Sequence, residues 1–197
     1  MVRPRGVREG GTMTAVPAAY GSWASPLTAA LVSESEVRLS GVSAVGDRVY
    51  WVESRPAEGR QVLVLQEPNG ERVDITPPPF QVRSRVHEYG GGDYLVDGTT
   101  IWFSNWADQR LWRQELDGCP VPITPPPPAD SCLRYSDGRL SRNRRWLICV
   151  RERHEDGAVQ NELVAVPADG RGDARLLASG HDFFASPRPS PDGDRLA

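Results

Sequence analysis

Three histidines (His87, His154 and His181) and three cysteines (Cys119, Cys132 and Cys149) are the side chains best suited to metal or nucleophile chemistry, and their spacing supports neither. The histidines lie far apart, no His-Glu-x-x-His occurs, and the cysteines lack a paired two-residue spacing. No metal site is expected from them. A serine nucleophile on a tight strand-to-helix turn needs Gly-x-Ser-x-Gly, because a side chain at either flank clashes in that turn. Gly41-Val-Ser43-Ala-Val45 comes closest and fails, with Gly46 one place late; Ser43 reads as a serine entering a turn between strands. Gly90-Gly91-Gly92 runs into strand-like Tyr94-Leu-Val96 rather than a lysine and a helix start, so it is not a phosphate loop. No catalytic residue and no cofactor is expected in the chain.

One polar cluster remains, Arg83-Ser-Arg-Val-His-Glu-Tyr-Gly-Gly-Gly92. Glycines let backbone segments approach closely, and two readings of the cluster stand side by side. It is a structural bulge with its ions paired, or it presents His87, Glu88 or Tyr89 to a ligand or a partner domain.

The elements that would position this cluster come from a repeat of about fifty residues. Asp74-Ile-Thr-Pro-Pro-Pro-Phe80 returns as Pro122-Ile-Thr-Pro-Pro-Pro-Pro128, with Ile75 and Ile123 in matching places. Turn dipeptides recur at the same period in two series. The first is Asn69-Gly70, Asp117-Gly118 and Asp169-Gly170; the second is Gly46-Asp47, Asp97-Gly98, Arg142-Asn143 and Asp192-Gly193. Between them lie β-branched and aromatic runs such as Val49-Tyr-Trp-Val52, Val62-Leu-Val-Leu65 and Trp146-Leu-Ile-Cys-Val150. Apolar on both faces, they read as strands buried on both sides.

Four strands fit each repeat: Glu36–Ser40, Val49–Glu53, Gln61–Gln66 and Arg72–Ile75; Asp93–Val96, Thr100–Ser104, Arg110–Gln114 and Val121–Ile123; Leu133–Tyr135, Trp146–Arg151, Glu162–Val166 and Arg175–Leu177. Repeats of four antiparallel strands at this period mark β-propeller blades. The fold class expected is therefore all-β, a β-propeller holding about three blades and the start of a fourth. The Thr-Pro-Pro-Pro stretches end outer strands and begin inter-blade links, since proline cannot continue a ladder. The Pro125-to-Pro128 spacing needs no recognition role beyond that. The polar cluster then falls between the outer strand of one blade and the inner strand of the next.

Composition agrees with this. The chain has 19 Gly and 18 Pro in 197 residues, well above ordinary usage, which suits short strands and many turns. All 23 basic residues are arginine, scattered among 26 acidic ones for a net charge of −3. That distribution gives no basic face, so no nucleic-acid partner is expected. No apolar run reaches the ~20 residues of a membrane span, and no membrane partner is expected. The first eleven residues lack the apolar core of a secretory signal, and Met13 is a second candidate start. With an odd number of cysteines, a reduced, cytoplasmic protein is the simplest reading.

Several strings taken together resemble the amino-terminal propeller of the prolyl oligopeptidase family of serine peptidases. They are Tyr20-Gly-Ser-Trp-Ala-Ser-Pro26, Val86-His-Glu-Tyr-Gly-Gly-Gly92, Phe103-Ser-Asn-Trp-Ala-Asp-Gln-Arg-Leu111, Asn161-Glu-Leu-Val-Ala-Val166 and Ser179-Gly-His-Asp-Phe-Phe-Ala-Ser-Pro-Arg188. Ser190-Pro-Asp-Gly-Asp-Arg-Leu-Ala197 is similar to a repeat of such propellers. The nearest branch in appearance is that of acylaminoacyl-peptidases and dipeptidyl-aminopeptidase-like enzymes. The resemblance implies a flexible extension over residues 1–17 and a partial propeller over 18–197. It also implies a carboxy-terminal α/β-hydrolase domain, absent from this chain, that carries the Ser-His-Asp triad and is the propeller's partner. The propeller's implied role is that of a lid that admits short peptides while contributing no catalytic group itself. A non-enzymatic propeller that binds a partner protein is the alternative.

Overall fold

The computed structural model describes residues 17, 19–22, 28, 37–128 and 131–197, with the side chain of Ser131 excluded. The extension expected over 1–17 lies outside them apart from Pro17. So do Met13, Glu36 at the start of the first expected strand, and the Tyr20–Pro26 string beyond Ser22. The chain divides into Met1–Glu34 and Ser35–Ala197. In the first unit a turn closes on the Ala19 carbonyl, which accepts from the Ser22 N–H at 3.0 Å and the Ser22 hydroxyl at 2.6 Å.

In the second unit, local turn chemistry and apolar alternation produce three four-stranded antiparallel sheets. The first is β1 (Arg38–Val45), β2 (Arg48–Arg55), β3 (Arg60–Gln66) and β4 (Arg72–Asp74). The second is β5 (Tyr94–Asp97), β6 (Thr100–Ser104), β7 (Leu111–Glu115) and β8 (Val121–Pro122). The third is β9 (Ser131–Leu140), β10 (Trp146–Glu155), β11 (Ala158–Pro167) and β12 (Arg175–Ser179). Each pairs in chain order, as propeller blades do. A following turn starts at Ser190–Arg195, where Pro189 bridges Leu196. Among the described residues the fold is all-β, an incomplete propeller of three blades and the beginning of another.

Strand alternation explains how the blades stack. Ile101 and Phe103 of β6 pack with Tyr50, Val52, Leu63 and Leu65 of the first sheet. Trp102, between them in sequence, points the other way and packs with Tyr135, Leu147, Val164 and Val166 of the third sheet. Successive side chains on a strand face opposite sides, so one strand feeds two cores. At roughly 1.5–3 kcal/mol for each large side chain fully buried, these interfaces are the main stabilising contribution. The Tyr94 hydroxyl donates to the Gly41 carbonyl, tying the second sheet to β1.

The repeated Ile-Thr-Pro has a role that proline alone does not supply. Leu63 N–H donates to Thr76 Oγ1 at 3.0 Å, and Leu111 N–H donates to Thr124 Oγ1 at 3.1 Å. Arg60 and Arg110 then donate to the Thr76 and Thr124 carbonyls, at 3.1 and 2.7 Å respectively. A threonine hydroxyl thus satisfies a third-strand N–H where the outer strand stops, and Ile75 and Ile123 are buried beside it.

The third sheet differs from the expected spans. β9, β10 and β11 each run ten residues, well past Leu133–Tyr135, Trp146–Arg151 and the Glu162 start expected for β11. The added stretch, Glu152 to Asn161, is polar and has no apolar alternation to reveal it. Its hairpin is made by Asp156 and Gly157, at φ 51° and 76°, the positive values a two-residue turn demands.

Candidate functional site

The link from β4 to β5 leaves the first sheet at the end where the β6–β7 and β10–β11 turns lie, because every second connection of an antiparallel sheet falls at the same end. Val82, Ser84 and Val86 are buried while Arg83 and Arg85 are exposed, so this part of the link is extended. It is held along its length. Arg83 N–H donates to the Ser104 carbonyl at 3.0 Å and Arg85 N–H to Gln109 Oε1 at 2.8 Å. The Ser84 hydroxyl donates to the Tyr135 carbonyl at 2.7 Å, and the Ser84 N–H to Asp93 Oδ1 at 2.7 Å. Both exposed arginines stack on Trp106, with guanidinium carbons 4.3 and 5.2 Å from the ring centre.

The chain then turns sharply. His87 and Glu88 both take positive φ, 56° and 65°, a left-handed conformation costing roughly 1–2 kcal/mol for a non-glycine residue. The third sheet supplies what holds them there. Glu152, 3% exposed, accepts the His87 backbone N–H at 2.7 Å and meets His154 Nε2 at 3.0 Å through its other oxygen. Arg134 Nη1 donates to Glu88 Oε1 at 2.5 Å and to the Arg85 carbonyl at 2.9 Å, and lies 3.6 Å from Glu152. The hydrogen bond from Arg134 holds the Glu88 carboxyl below the usual carboxylate range.

All three expected residues are here. His87 is half-buried, its ring 5.1 Å from that of Phe183 and 5.7 Å from that of Tyr89. Glu88 is exposed and Tyr89 is 79% exposed. Glu152, His154 and Arg134 were not read from the sequence as members of this cluster. The usable signal was the Asp156-Gly157 hairpin, which extends β10 until Glu152 and His154 reach the link. Beside the cluster opens a cleft of about 890 Å³, bounded by His87, Glu88, Glu152, Asn161, Leu176 and Phe183. It can hold a small extended molecule between acidic groups and aromatic or aliphatic side chains. No group of three or more potential metal ligands occurs among the described residues.

The Gly90-Gly91-Gly92 run is a close approach of backbone to the β9 bulge. A Cβ on Gly91 would stand 2.8 Å from Ser136 Oγ, and one on Gly92 would stand 2.9 Å from Asp137 Oδ1. Ser43 lies on β1 opposite Tyr50, within a strand.

Asp93 closes the link. Burial pushes its carboxyl up to about 6, against the Ser84 N–H and the Arg83 charge, which favour ionisation. Its folded value thus lies above the unfolded value of about 3.9. The native state then binds the proton more tightly between those values, and stability falls as pH rises from about 4 through 6. Asp93→Asn keeps an acceptor for Ser84 and removes the buried charge. It is expected to raise stability at pH 7.5 by about 1–2 kcal/mol, after allowance for partial exposure, with no gain at pH 4. Thermal melts of both proteins across that range check this; a gain equal at both ends would contradict it.

The described residues contain no helix long and apolar enough to cross a membrane. No family model matches the chain, and no curated protein matches it. Solved structures do match. A puromycin-hydrolysing peptidase of Mycobacterium tuberculosis is 40% identical, with a TM-score of 0.79, over 90% of this chain and 30% of its own. A puromycin hydrolase is 37% identical, with a TM-score of 0.79, over 91% of this chain and 30% of its own. The chain therefore spans 30% of the length of the peptidases it matches, and corresponds to their amino-terminal region.

Proposed function

Because the chain belongs to the prolyl oligopeptidase family, which it joins through these puromycin-hydrolysing peptidases, we propose that it is the substrate-gating amino-terminal propeller of a serine peptidase acting on short peptides. The observation that carries this reading is the cleft beside His87 and Glu88, in a region 40% identical to a peptidase. Its partner is the α/β-hydrolase domain of the same protein, which brings the Ser-His-Asp triad, while the propeller itself supplies no triad residue. Enclosing a reaction between two such domains limits access by size and strengthens electrostatic contacts by excluding water. His87, Glu88 and Tyr89 are the substrate- or domain-facing residues. Within the family, the branch we propose is that of the acylaminoacyl-peptidases and dipeptidyl-aminopeptidase-like enzymes.

The compartment proposed is the cytoplasm, a reading supported by three unpaired cysteines, Cys119, Cys132 and Cys149. Burial pushes the Cys149 thiol up to about 12, which leaves it a packing group.

Glu88→Ala in the full-length peptidase tests the role of the link. Its side chain is 66% exposed, so loss of its ion pair to Arg134 should cost little stability. A fall in kcat/KM of about tenfold with a melting temperature shifted by less than about 2 °C is expected. Unchanged kinetics, or activity lost only in proportion to melting, would assign Glu88 a structural role instead.

A further inference from the structure

The third sheet has an edge that its own strands leave open. The Asp156-Gly157 hairpin closes on the pair Glu155 and Ala158, and in a two-residue hairpin this closing pair exchanges both backbone hydrogen bonds. From there the pattern alternates. Ala158, Gln160 and Glu162 direct their N–H and C=O groups toward β10; Val159, Asn161 and Leu163 direct theirs away from it. Leu163 meets Ala178 of β12, but β12 ends at Ser179, opposite Glu162. Among the described residues no strand lies beside Val159 and Asn161 on that side.

This open edge forms part of the wall of the cleft. Two residues that bound the cleft, Asn161 and His87, each bury a polar atom without a hydrogen-bond partner, Oδ1 and Nε2 respectively, although nearly all buried polar atoms have one. Val159, Leu176 and Phe183 leave apolar surface exposed around them, at 52, 55 and 66%. The volume of about 890 Å³ is that of a small-ligand site. An open strand edge and exposed apolar surface beside it are two features that an extended peptide satisfies together. Main-chain pairing supplies affinity, and the pockets for alternate side chains supply preference.

Resting on the reading of this chain as a peptide-gating propeller, we infer that a short extended peptide binds in the cleft as an added strand on β11, exchanging main-chain hydrogen bonds with Val159 and Asn161. Two edge residues of this spacing engage a segment of about three or four residues.

Two measurements test this. In hydrogen exchange on this 197-residue chain, the amides of Val159 and Asn161 are expected to exchange rapidly alone and at least about tenfold more slowly with excess tetraalanine. The second uses Val159→Pro in the full-length peptidase. Proline is tolerated where the N–H faces outward from an edge, so this change removes one donor and spares the ladder to β10. It is expected to lower kcat/KM for a tetraalanine amide about tenfold with an unchanged melting temperature. If Val159→Pro melts early, the exchange measurement decides.

Slowing confined to residues 87–89 would leave the peptide-binding reading standing and overturn the added strand. Slowing nowhere would overturn both. Amides of Val159 and Asn161 already protected without peptide would show that the protein itself covers the edge, and an unchanged kcat/KM in a folded Val159→Pro enzyme would likewise refute the pairing.

Discussion

Glu152→Ala is expected to destabilise the protein by about 3–5 kcal/mol, the range for removing one partner from a buried charged pair. The residue is 3% exposed and its carboxylate serves three groups, the His87 N–H, His154 Nε2 and the Arg134 guanidinium. Without it the His87 amide loses its acceptor, and Arg134, itself 8% exposed, is left with Glu88 alone among the carboxylates. The left-handed turn at His87 and Glu88 also loses the contact that holds it. At about 2–4 °C per kcal/mol for a chain of this size, the melting temperature should fall by on the order of 10 °C. Glu152→Gln should fall between the two, since an amide oxygen still accepts from His87 while the charge facing Arg134 is gone. Thermal denaturation of the three proteins checks the order. A drop below about 2 °C for alanine would mean that the link is held by its other bonds and the cluster is not a unit.

Trp102→Ala should be as costly, about 3–5 kcal/mol, for a different reason. Trp102 is 6% exposed, fills the interface between the second and third sheets, and donates its indole N–H to the Ala168 carbonyl at 2.8 Å. Removing it opens a cavity between blades and leaves a buried carbonyl without a donor. Trp102→Phe separates these effects. It retains most of the apolar volume and should cost about 1–2 kcal/mol, largely the unpaired carbonyl. Denaturant unfolding of the two variants measures both values. Equal losses would show that the hydrogen bond, not the packing, carries the interface.

The repeat and its strands were readable because both depend on neighbours in the chain. Val49-Tyr-Trp-Val52 and Ile101-Trp-Phe103 are apolar at every position, which suits a sheet enclosed on both faces. All twelve expected strands overlap their observed counterparts, with at least one end of each within about two residues, the first overlapping over Arg38–Ser40. The polar arm of β10 and β11 was not legible. Its residues, Glu152 to Asn161, carry no apolar alternation, and beyond the buried Glu152 their pairing continues the register of the strands below. The Thr76 and Thr124 hydroxyls were likewise hidden behind the more conspicuous prolines that follow them.

The candidate site shows the same division. Arg83 to Gly92 stood out because charged residues beside three glycines between two strands are a local anomaly. Its meaning required partners distant in sequence: Glu88 meets Arg134 from 46 residues away, and the His87 amide meets Glu152 from 65. The sequence by itself determined the blade, its period, its turn residues and the place of the polar link, since hydrophobic alternation and positive-φ turns act over a few residues. Only the tertiary structure decided which blade the link touches, that His87 and Glu88 sit in left-handed conformations, and that an open strand edge faces them across a cleft. Those features depend on the stacking of one sheet on another, where a carboxylate buried on one strand is stabilised only by groups that another part of the chain brings to it.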